Sequence, residues 1–382
     1  MIIKNIYDVS IFIGNVDILD GGSASKVQCI IEESIYDNIP MCKIVFLSSP
    51  EFISETPIID GTKIKITITS DAFSINETIP FRVMKMSALP YGNDIMYSIE
   101  CVIDFYELFR TPIKYSMNNN SSEVFKLIAS KNNLANSEIY TTQDKQLWAP
   151  SCSNLYQWMN YITQHSWASQ QSAFFWALTR NKKLVFADVD RLVYNSKNIT
   201  KICYGDIKED DIDNNIIRYK DIAFEMNPGP ENLFNKGYDG ENNYFDLLSY
   251  STKSVNANKV RAVSEIININ RELSSGLGKN ISQFNVGNHH KNFFVAEVQN
   301  RRILSTFSTY VDLFCEFYFP INIAQVCLLE GQSHNTSKNE EVNTLNIKYI
   351  ISKIQTKITS SNINMNVELC SQGYNGKSTE SY

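Results

Sequence analysis

The stretch TKIKITITS, at residues 62–70, alternates strictly between isoleucine and a polar residue. Successive side chains of a β-strand point to opposite faces, so Ile64, Ile66 and Ile68 would share one face and the lysines and threonines the other. On a helix Ile66 would lie on the opposite side from Ile64 and Ile68. The segment therefore predicts a strand with one buried face, which commits the chain to a β-sheet.

Five further segments of this kind lie within residues 1–112. They read VSIFIGNVDI, KVQCIIEESI, CKIVFLSS, IPFRVMKMSAL and MYSIECVIDFYEL. The prolines of the region are expected between the strands, where a missing N–H costs no hydrogen bond of the sheet. These prolines are Pro40, Pro50, Pro57, Pro80 and Pro90. Six strands at this spacing predict a small antiparallel barrel or sandwich, the first β-barrel domain, over residues 1–112.

Residues 113–195 change to a helical period. One helix is expected behind the capping candidates Ser121 and Ser122, and a second behind Asn154, with Gln157 three residues further on. The apolar face of the second helix consists of Leu155, Trp158, Met159 and Ile162. SAFFWALTRNKKLVFADV then returns to period two around a polar turn from Arg180 to Lys183. Two helices and a hairpin predict a small α/β domain.

The rest of the chain divides into three parts. Residues 196–300 mix short strand-like pieces with turns, and are expected to form an extended connecting segment with loops. Residues 301–372 are β again, since IISKIQTKITSSNINMNVELC predicts a hairpin, and they form the second β-barrel portion. Residues 373–382 lack apolar periodicity and are expected to be a flexible tail. The fold class is therefore β-rich α+β: two antiparallel β-barrels, a small α/β middle domain and extended connections.

Composition excludes several functions. The net charge is −6 and no run of lysine and arginine occurs, which argues against a nucleic-acid-binding protein. No window approaches the roughly 18 apolar residues of a membrane span, and the N-terminus alternates instead of forming a signal peptide. We therefore expect no membrane insertion and a cytoplasm-like compartment. The eight cysteines are scattered without a C-x-x-C pair, which favours buried free thiols.

One aromatic segment, WAPSCSNLYQWMNYITQHSWAS at residues 148–169, could hold a nucleophile and its base in Cys152 and His165. Cys152 precedes the predicted helix and His165 ends it. At 1.5 Å per residue the helix separates them by roughly 18 to 20 Å, far beyond hydrogen-bond reach. His165 instead occupies a position that favours a cation near a helix C-terminus. The tryptophans are best explained as the core of the middle domain.

Other candidate groups also lack a partner set. His289 and His290 have no second ligand pair at zinc spacing. The adjacent pairs Glu32–Glu33 and Glu340–Glu341 would point to opposite faces of a strand. Glu209, Asp210, Asp211 and Asp213 match no calcium loop and are expected to be a solvated face. Gly276 and Gly278 lack the strand and helix of a phosphate loop. We expect no catalytic residue, no cofactor-binding residue, no metal and no cofactor.

Three passages resemble the baseplate hub proteins of contractile-tailed phages and the hub half of the valine–glycine-repeat spike proteins of type VI secretion. The first is SIYDNIPMCKIVFLSSPEF followed by IIDGTKIKITI, and the second is LWAPSCSNLYQWMNYITQHSW with FFWALTRNKKLVFADV. The third is PINIAQVCLLEG followed by YIISKIQTKITSSNINMNVELCSQG. The family usually has Gly-Asp where this chain has Ala324-Gln325, so we expect that turn to be built differently.

The resemblance implies a homotrimer in which each chain contributes two barrels like the tail-tube subunit. The resulting pseudo-sixfold ring would join a hexameric tail tube, or tube initiator, to a trimeric spike and to other baseplate proteins. DNA would pass through the lumen in transit only, which the acidic balance favours. The chain ends shortly after the last predicted strand, so the spike is expected to be a separate polypeptide. The implied location is the virion tail baseplate, assembled in the host cytoplasm.

Three alternatives stay open. The chain could be the hub of a phage-related contractile injection or secretion machine. It could also be a virion hydrolase acting on cell-wall polymers, which would require two carboxylates converging from different strands. A carbohydrate- or receptor-binding β protein at the edge of the virion is the third.

Overall fold

The computed structural model describes most of the chain. The described residues are 7–20, 24–109, 116–134, 137–150, 154–169, 172–196, 199–208, 210–211, 214–226, 241–246, 251–256, 280–285, 289–301, 307, 309–330, 348–360 and 362–371. They form a β-rich α+β structure with few helices, which confirms the predicted fold class. The predicted tail at 373–382 and the pair Glu340–Glu341 lie outside the described residues.

The helices are α1 (Phe52–Glu55), α2 (Ser121–Lys131), α3 (Leu155–His165), α4 (Val189–Asn195) and α5 (Phe293–Arg301). The strands of the first half are β1 (Asp8–Ile13), β2 (Val16–Asp17), β3 (Ser25–Ser34), β4 (Met41–Ser48), β5 (Lys63–Ser70), β6 (Ile75–Tyr91), β7 (Asp94–Ile103), β8 (Met117–Asn119), β9 (Glu138–Ile139), β10 (Gln146–Trp148), β11 (Phe174–Leu178) and β12 (Leu184–Asp188). The strands of the second half are β13 (Thr200–Tyr204), β14 (Ile216–Tyr219), β15 (Asp221–Met226), β16 (Glu241–Asp246), β17 (Ser251–Asn256), β18 (Asn280–Asn285), β19 (Thr309–Cys315), β20 (Val326–Leu329), β21 (Lys348–Thr359) and β22 (Ile363–Ser371).

Strands β1 to β7 form the first β unit. Their order in the sheet is β3-β4-β7-β6-β5-β1-β2, with every neighbouring pair antiparallel. Ile64, Ile66 and Ile68 of β5 are at most 1% exposed, so the alternation of TKIKITITS does bury one face of a strand. The buried isoleucines belong to one apolar cluster with inward residues of β1, β4 and β7, among others.

Two prolines are not where the sequence predicts them. Pro40, Pro50 and Pro57 lie between strands, but Pro80 and Pro90 lie inside β6. The Pro80 carbonyl accepts a hydrogen bond from Asp104 N at 2.9 Å, just beyond the last residue of β7. The Pro80 nitrogen points to the same side as its carbonyl, and therefore lies past the end of β7. Pro90 lies where β6 has β7 on one side and no other described strand. At both positions a missing N–H removes no ladder bond, which is the condition that a strand proline requires.

The second β unit gathers strands from both sides of a long stretch of chain. β13, from the predicted connecting segment, pairs in parallel with both β14 and β20, and β15 pairs antiparallel with β19. This unit is therefore a mixed sheet, where the sequence predicts an antiparallel one. The strands of this unit are paired in the order β14-β13-β20-β21-β22-β19-β15. A single residue, Lys220, separates β14 from β15 in the chain, so the first and last strands of this order are covalently adjacent. The short apolar runs of these strands carry little periodicity, which is why the sequence does not assign them to a barrel. The predicted domain boundaries stay predictions.

The two β units are joined by a strand pair. β21 and β3 are antiparallel, with cross-strand pairs from Lys353 and Ser34 to Thr359 and Gln28. Both units therefore belong to one sheet of 14 strands. The predicted hairpin of the second unit is confirmed, since Ile358 of β21 lies opposite Ile363 of β22.

The middle unit is built from α2, α3 and the hairpin β11–β12. Asn154 caps α3 as predicted, because its side chain accepts a hydrogen bond from Gln157 N at 2.9 Å. Of the three tryptophans of residues 148–169, Trp148 and Trp158 are fully buried in the core as predicted, whereas Trp167 is only partly buried. Trp176 of β11, 1% exposed, joins the same core. β12 also pairs in parallel with the short β9.

The turn at Ala324-Gln325 leads to the first stability prediction. Ala324 has a φ of 63°, in the left-handed region that costs an L-residue about 1 kcal/mol or more. Its N–H donates to the Ile351 carbonyl at 2.9 Å, so the conformation is held by β21. We expect Ala324→Gly to raise the free energy of unfolding by about 0.5–1 kcal/mol in urea titrations. Ala223→Gly, at an exposed position of β15, is the matched control and should lower it; equal effects of the two changes would contradict the prediction.

Candidate functional site

Arg180 lies at the point where the three units meet. It follows β11 in the hairpin turn that the sequence describes as polar, yet the structure buries it completely. Its Nε donates to Glu77 Oε1 at 3.0 Å, and its backbone N–H donates to Glu33 Oε1 at 2.8 Å. Its Nη1 lies 3.3 Å from Glu33 Oε2, an ion pair without hydrogen-bond geometry. One guanidinium of the middle unit is thus paired with two carboxylates of the first β unit.

The same guanidinium also reaches the second β unit. Arg180 Nη2 donates to the Ile321 carbonyl at 2.6 Å, in the segment between β19 and β20. The guanidinium carbon lies 5.1 Å from the ring centre of Tyr318, a cation–π contact. The Tyr318 hydroxyl in turn donates to Glu77 Oε2. We call Arg180, Glu33, Glu77 and Tyr318 the junction cluster, because its members come from all three units.

Burial dominates the electrostatics of the junction cluster. It raises the pKa of Glu33, and the Arg180 charge opposes that shift only in part. Burial, together with the Glu77 carboxylate, also holds the pKa of the Tyr318 hydroxyl well above its usual range. Burial acts to lower the pKa of Arg180, but Tyr318, Glu33 and Glu77 raise it overall, so the guanidinium stays charged. The cluster is a buried polar joint with its charge fixed on Arg180.

A second contact holds the middle hairpin on the first β unit. Asn38, in the turn between β3 and β4, has a φ of 67° and donates through Nδ2 to the Trp176 carbonyl. Leu178 N donates back to the Asn38 carbonyl at 2.7 Å. These hydrogen bonds join β11 to the turn that follows β3, the strand that carries Glu33. Leu178 lies two residues before Arg180 in the chain.

A third contact fixes α5 on α3. Asn300, 5% exposed, donates through Nδ2 to the carbonyls of Thr163, Gln164 and Ser166 at 2.7–3.2 Å. Its Oδ1 accepts from Phe174 N at 2.8 Å. One amide therefore satisfies three carbonyls at the C-terminal end of α3 and the first N–H of β11.

The structure gives His165 a packing role. It ends α3 as predicted, its Nδ1 lies 2.7 Å from the Tyr161 carbonyl, and its ring stacks on Phe293 with 3.9 Å between centres. Glu297 Oε2 lies 3.7 Å from its Nε2. Cys152 lies outside the described residues, so the expected separation of the two side chains stays a prediction.

His289 and His290 belong to the same contact. The His289 ring also stacks on the Phe293 ring, again with 3.9 Å between ring centres. His290 Nε2 lies 2.9 Å from the His165 carbonyl oxygen. Burial lowers the pKa of both imidazoles. Among the described residues no group of three or more histidines, cysteines and carboxylates could hold a metal ion.

The remaining candidates behave in different ways. Glu32 is exposed and Glu33 buried, so this adjacent pair points to opposite faces as expected. Asp211 corrects the prediction of a solvated acidic face, because it is buried, pairs with Arg218 at 2.9 Å and accepts from Lys208 N. Outside the described residues lie Glu209, Asp213, Gly276 and Gly278. The seven described cysteines are free, and all but Cys203 are buried.

A groove of about 290 Å³ beside α4 is lined by Thr141, Gln143, Asp188, Asp190 and Arg191 among others. Arg191 there already donates to the Thr141 carbonyl at 2.8 Å and lies 3.4 Å from Asp188. Across the described residues, no helix has the length and apolar character needed to cross a membrane.

Sequence comparison and structure comparison give different results for this chain. No protein-family model and no curated protein sequence matches it. Its structure is similar to the 43 kDa tail protein of prophage MuSo2 from Shewanella oneidensis, with a TM-score of 0.57 and 10% identity over 95% of this chain and 98% of that one. It is also similar to the tail protein of Neisseria meningitidis MC58, with a TM-score of 0.55 and 9% identity over 96% and 97% of the two chains.

A weaker similarity extends to the Francisella PdpA–VgrG complex, with a TM-score of 0.48 and 10% identity over 100% of this chain and 61% of that one. The two tail proteins match this chain almost from end to end. The chain therefore has a phage tail-protein fold, in which the junction cluster ties the three units together.

Proposed function

We propose that this protein is the central hub of a phage tail baseplate, with a structural role and no catalytic one. The observation that carries the proposal is the end-to-end similarity of its fold to two tail proteins, one of them from a prophage. The buried junction cluster supports it, because a body that transmits force between a tube and a spike needs its units held in fixed positions. In this proposal the protein acts in the virion tail and is assembled in the host cytoplasm.

An open sheet edge supports self-association. β5 accompanies β6 only as far as Arg82, and from Met84 to Tyr91 the strand has β7 on one side and no described strand on the other. Met84, Leu89 and Tyr91 are 51%, 56% and 55% exposed. The segment contains Lys85 and Pro90 among its apolar residues, and its backbone N–H groups, apart from Pro90, and its C=O groups on the open side are a template for pairing with another chain.

The proposed assembly is a homotrimer whose two β units per chain give a pseudo-sixfold ring. Such a ring would present six similar β units to a hexameric tail tube or tube initiator and three equivalent faces to a separate trimeric spike. Other baseplate proteins would bind around it, and DNA would pass through its lumen during ejection. The hub of a phage-related contractile injection system would use the same assembly.

Light scattering of the purified protein, followed by negative-stain imaging, tests the assembly. We expect a mass of about 131 kDa, three times the 43.7 kDa chain, and rings with six lobes. Leu89→Lys should shift the mass to that of one chain, because it places a charge on the open edge. Leu147→Lys, at a residue of the middle unit that is 57% exposed, is the matched control and should leave the trimer intact.

Two outcomes would count against the proposal. A trimer that survives Leu89→Lys would remove the β6 edge from the interface. A compact wild-type monomer that captures neither a tube nor a spike protein would overturn the hub itself. Turnover of cell-wall polymer by that monomer would then favour the hydrolase alternative.

A further inference from the structure

One face of the large sheet carries unpaired positive charge. On β21, β3, β4, β7, β6 and β5 the alternate residues that do not enter the core point outward, and we call this surface the outer sheet face. Its lysines are Lys43, Lys63, Lys65, Lys85, Lys353 and Lys357. On these six strands the acidic residues in the middle of the face are Glu32 and Glu100, and Glu368 of the neighbouring β22 lies opposite Lys353. The outer sheet face is therefore basic although the whole chain has a net charge of −6.

The strand register arranges part of this charge in one row. Lys357 lies opposite Ile30, Ile30 opposite Lys43, Lys43 opposite Glu100, and Glu100 opposite Lys85. Neighbouring strands are about 4.8 Å apart, so successive lysines of the row are roughly 10 Å apart across the sheet. The row crosses from the second β unit into the first through the β21–β3 pair.

These charges are not neutralised within the described structure. None of the six lysines forms an ion pair with another described residue. The side chains of Lys43, Lys85 and Lys357 are exposed. Glu32 is already engaged by Gln355 Nε2 at 2.7 Å. The other basic residue of the face, Arg82, differs because it is paired with Asp104.

We infer that the outer sheet face contacts the phosphate backbone of double-stranded DNA. This inference rests on the proposed function, in which DNA passes through the lumen of the assembled ring, and it assigns the outer sheet face to the wall of that lumen. Duplex DNA carries one negative charge per about 1.7 Å of its axis, so widely spaced lysines on flexible stems find phosphates in any register. A face with few lysines gives weak, sequence-independent contact, which suits a polymer that must slide past.

Fluorescence anisotropy with a labelled 25-base-pair duplex tests the inference on the full chain. We expect binding that weakens linearly in log–log form as NaCl rises from 25 to 200 mM. The triple variant Lys43→Gln, Lys85→Gln, Lys357→Gln should lose about tenfold in affinity at 50 mM NaCl. The magnitude of its salt slope should fall by about 2 to 3, since each phosphate contact contributes about 0.9.

The matched control carries Lys131→Gln, Lys145→Gln and Lys208→Gln, three exposed lysines away from the outer sheet face. It has the same net charge as the test variant and should bind DNA like the wild type. Equal losses in the two variants would overturn the inference, because net charge alone would then explain binding. So would a wild-type chain that binds no duplex at 25 mM NaCl, or one whose outer sheet face binds an acidic polypeptide but not DNA. Oligomeric mass is measured separately, so a trimer that fails to bind DNA refutes this inference and leaves the hub proposal standing.

Discussion

Replacing Arg180 with methionine is expected to lower the free energy of unfolding by about 3–5 kcal/mol. The substitution removes the positive partner of Glu33 and Glu77 and leaves two carboxylates close together, with Glu33 completely buried. Breaking a buried ion pair on one side is costly because the remaining charge is uncompensated. The Ile321 carbonyl also loses its hydrogen bond. Urea unfolding followed by tryptophan fluorescence at pH 7 measures the change.

The deficit of Arg180→Met should depend on pH in a defined direction. The pKa of Glu33 in the folded chain already lies above its unfolded value, because of burial. Such a carboxyl stabilises the fold fully below its unfolded pKa and loses that contribution as pH rises through the folded pKa. Without Arg180 the folded pKa rises further. We therefore expect a smaller deficit at pH 5 than at pH 8, by about 1 kcal/mol or more.

Two controls separate charge from packing. Lys126→Met removes a half-exposed lysine whose partner, Glu123, is also half-exposed, and should cost less than about 1 kcal/mol. The triple variant Arg180→Met, Glu33→Gln, Glu77→Gln should recover much of the deficit, since neutral amides cost less to bury than unpaired carboxylates. A deficit that is below 1 kcal/mol, or that is the same at pH 5 and pH 8, would show that the junction cluster is not a charged joint.

Local patterns in the sequence predict local structure well in this chain. The alternation around Ile66 gives β5, the helical spacing around Trp158 gives α3, and the side chain of Asn154 gives its cap. Each of these features depends on residues within one or two turns of each other. The periodicity is decisive there because one face of each element packs on the same core.

The contacts that join the units could not be predicted in the same way. Arg180 reads as part of a polar turn, and no feature of its neighbours shows that Glu33 and Glu77 approach it from 147 and 103 residues away. The sequence around Asn300 does not indicate a buried amide either, because nothing in it distinguishes Asn300 from an asparagine in an exposed loop. The tertiary fold determines which distant residues become buried polar partners, and the local patterns of a single sequence do not indicate these contacts.

The charge of the outer sheet face shows the same limit. The sequence contains no run of lysine and arginine, which argues against a nucleic-acid surface when the chain is read in one dimension. Lys43, Lys85 and Lys357 are far apart in the chain, and the strand register alone brings them into one row. A basic surface on a sheet is a property of register, since residues two strands apart are neighbours whatever their separation in sequence.

The second large effect is expected in the middle unit. Phe186 of β12 is completely buried between two other rings, with its centre 4.0 Å from that of Phe125 and 5.0 Å from that of Phe174. Phe186→Ala should lower the free energy of unfolding by about 3–5 kcal/mol, because it removes the apolar area of one ring and leaves a cavity between the other two. Phe186→Leu should cost about half as much, since it refills part of that volume.

The exposed Phe109 provides the matched control. It is 39% exposed and stacks on Tyr156 with 6.1 Å between centres, so Phe109→Ala should cost less than about 1 kcal/mol. Arg180 joins the middle unit to both β units through buried contacts, and we therefore expect Phe186→Ala to shift one cooperative transition of the whole chain. A deficit near that of Phe109→Ala would contradict the aromatic core. A separate early transition in tryptophan fluorescence, with the β signal in circular dichroism unchanged, would show that the junction cluster does not couple the units, because the middle unit would then unfold alone.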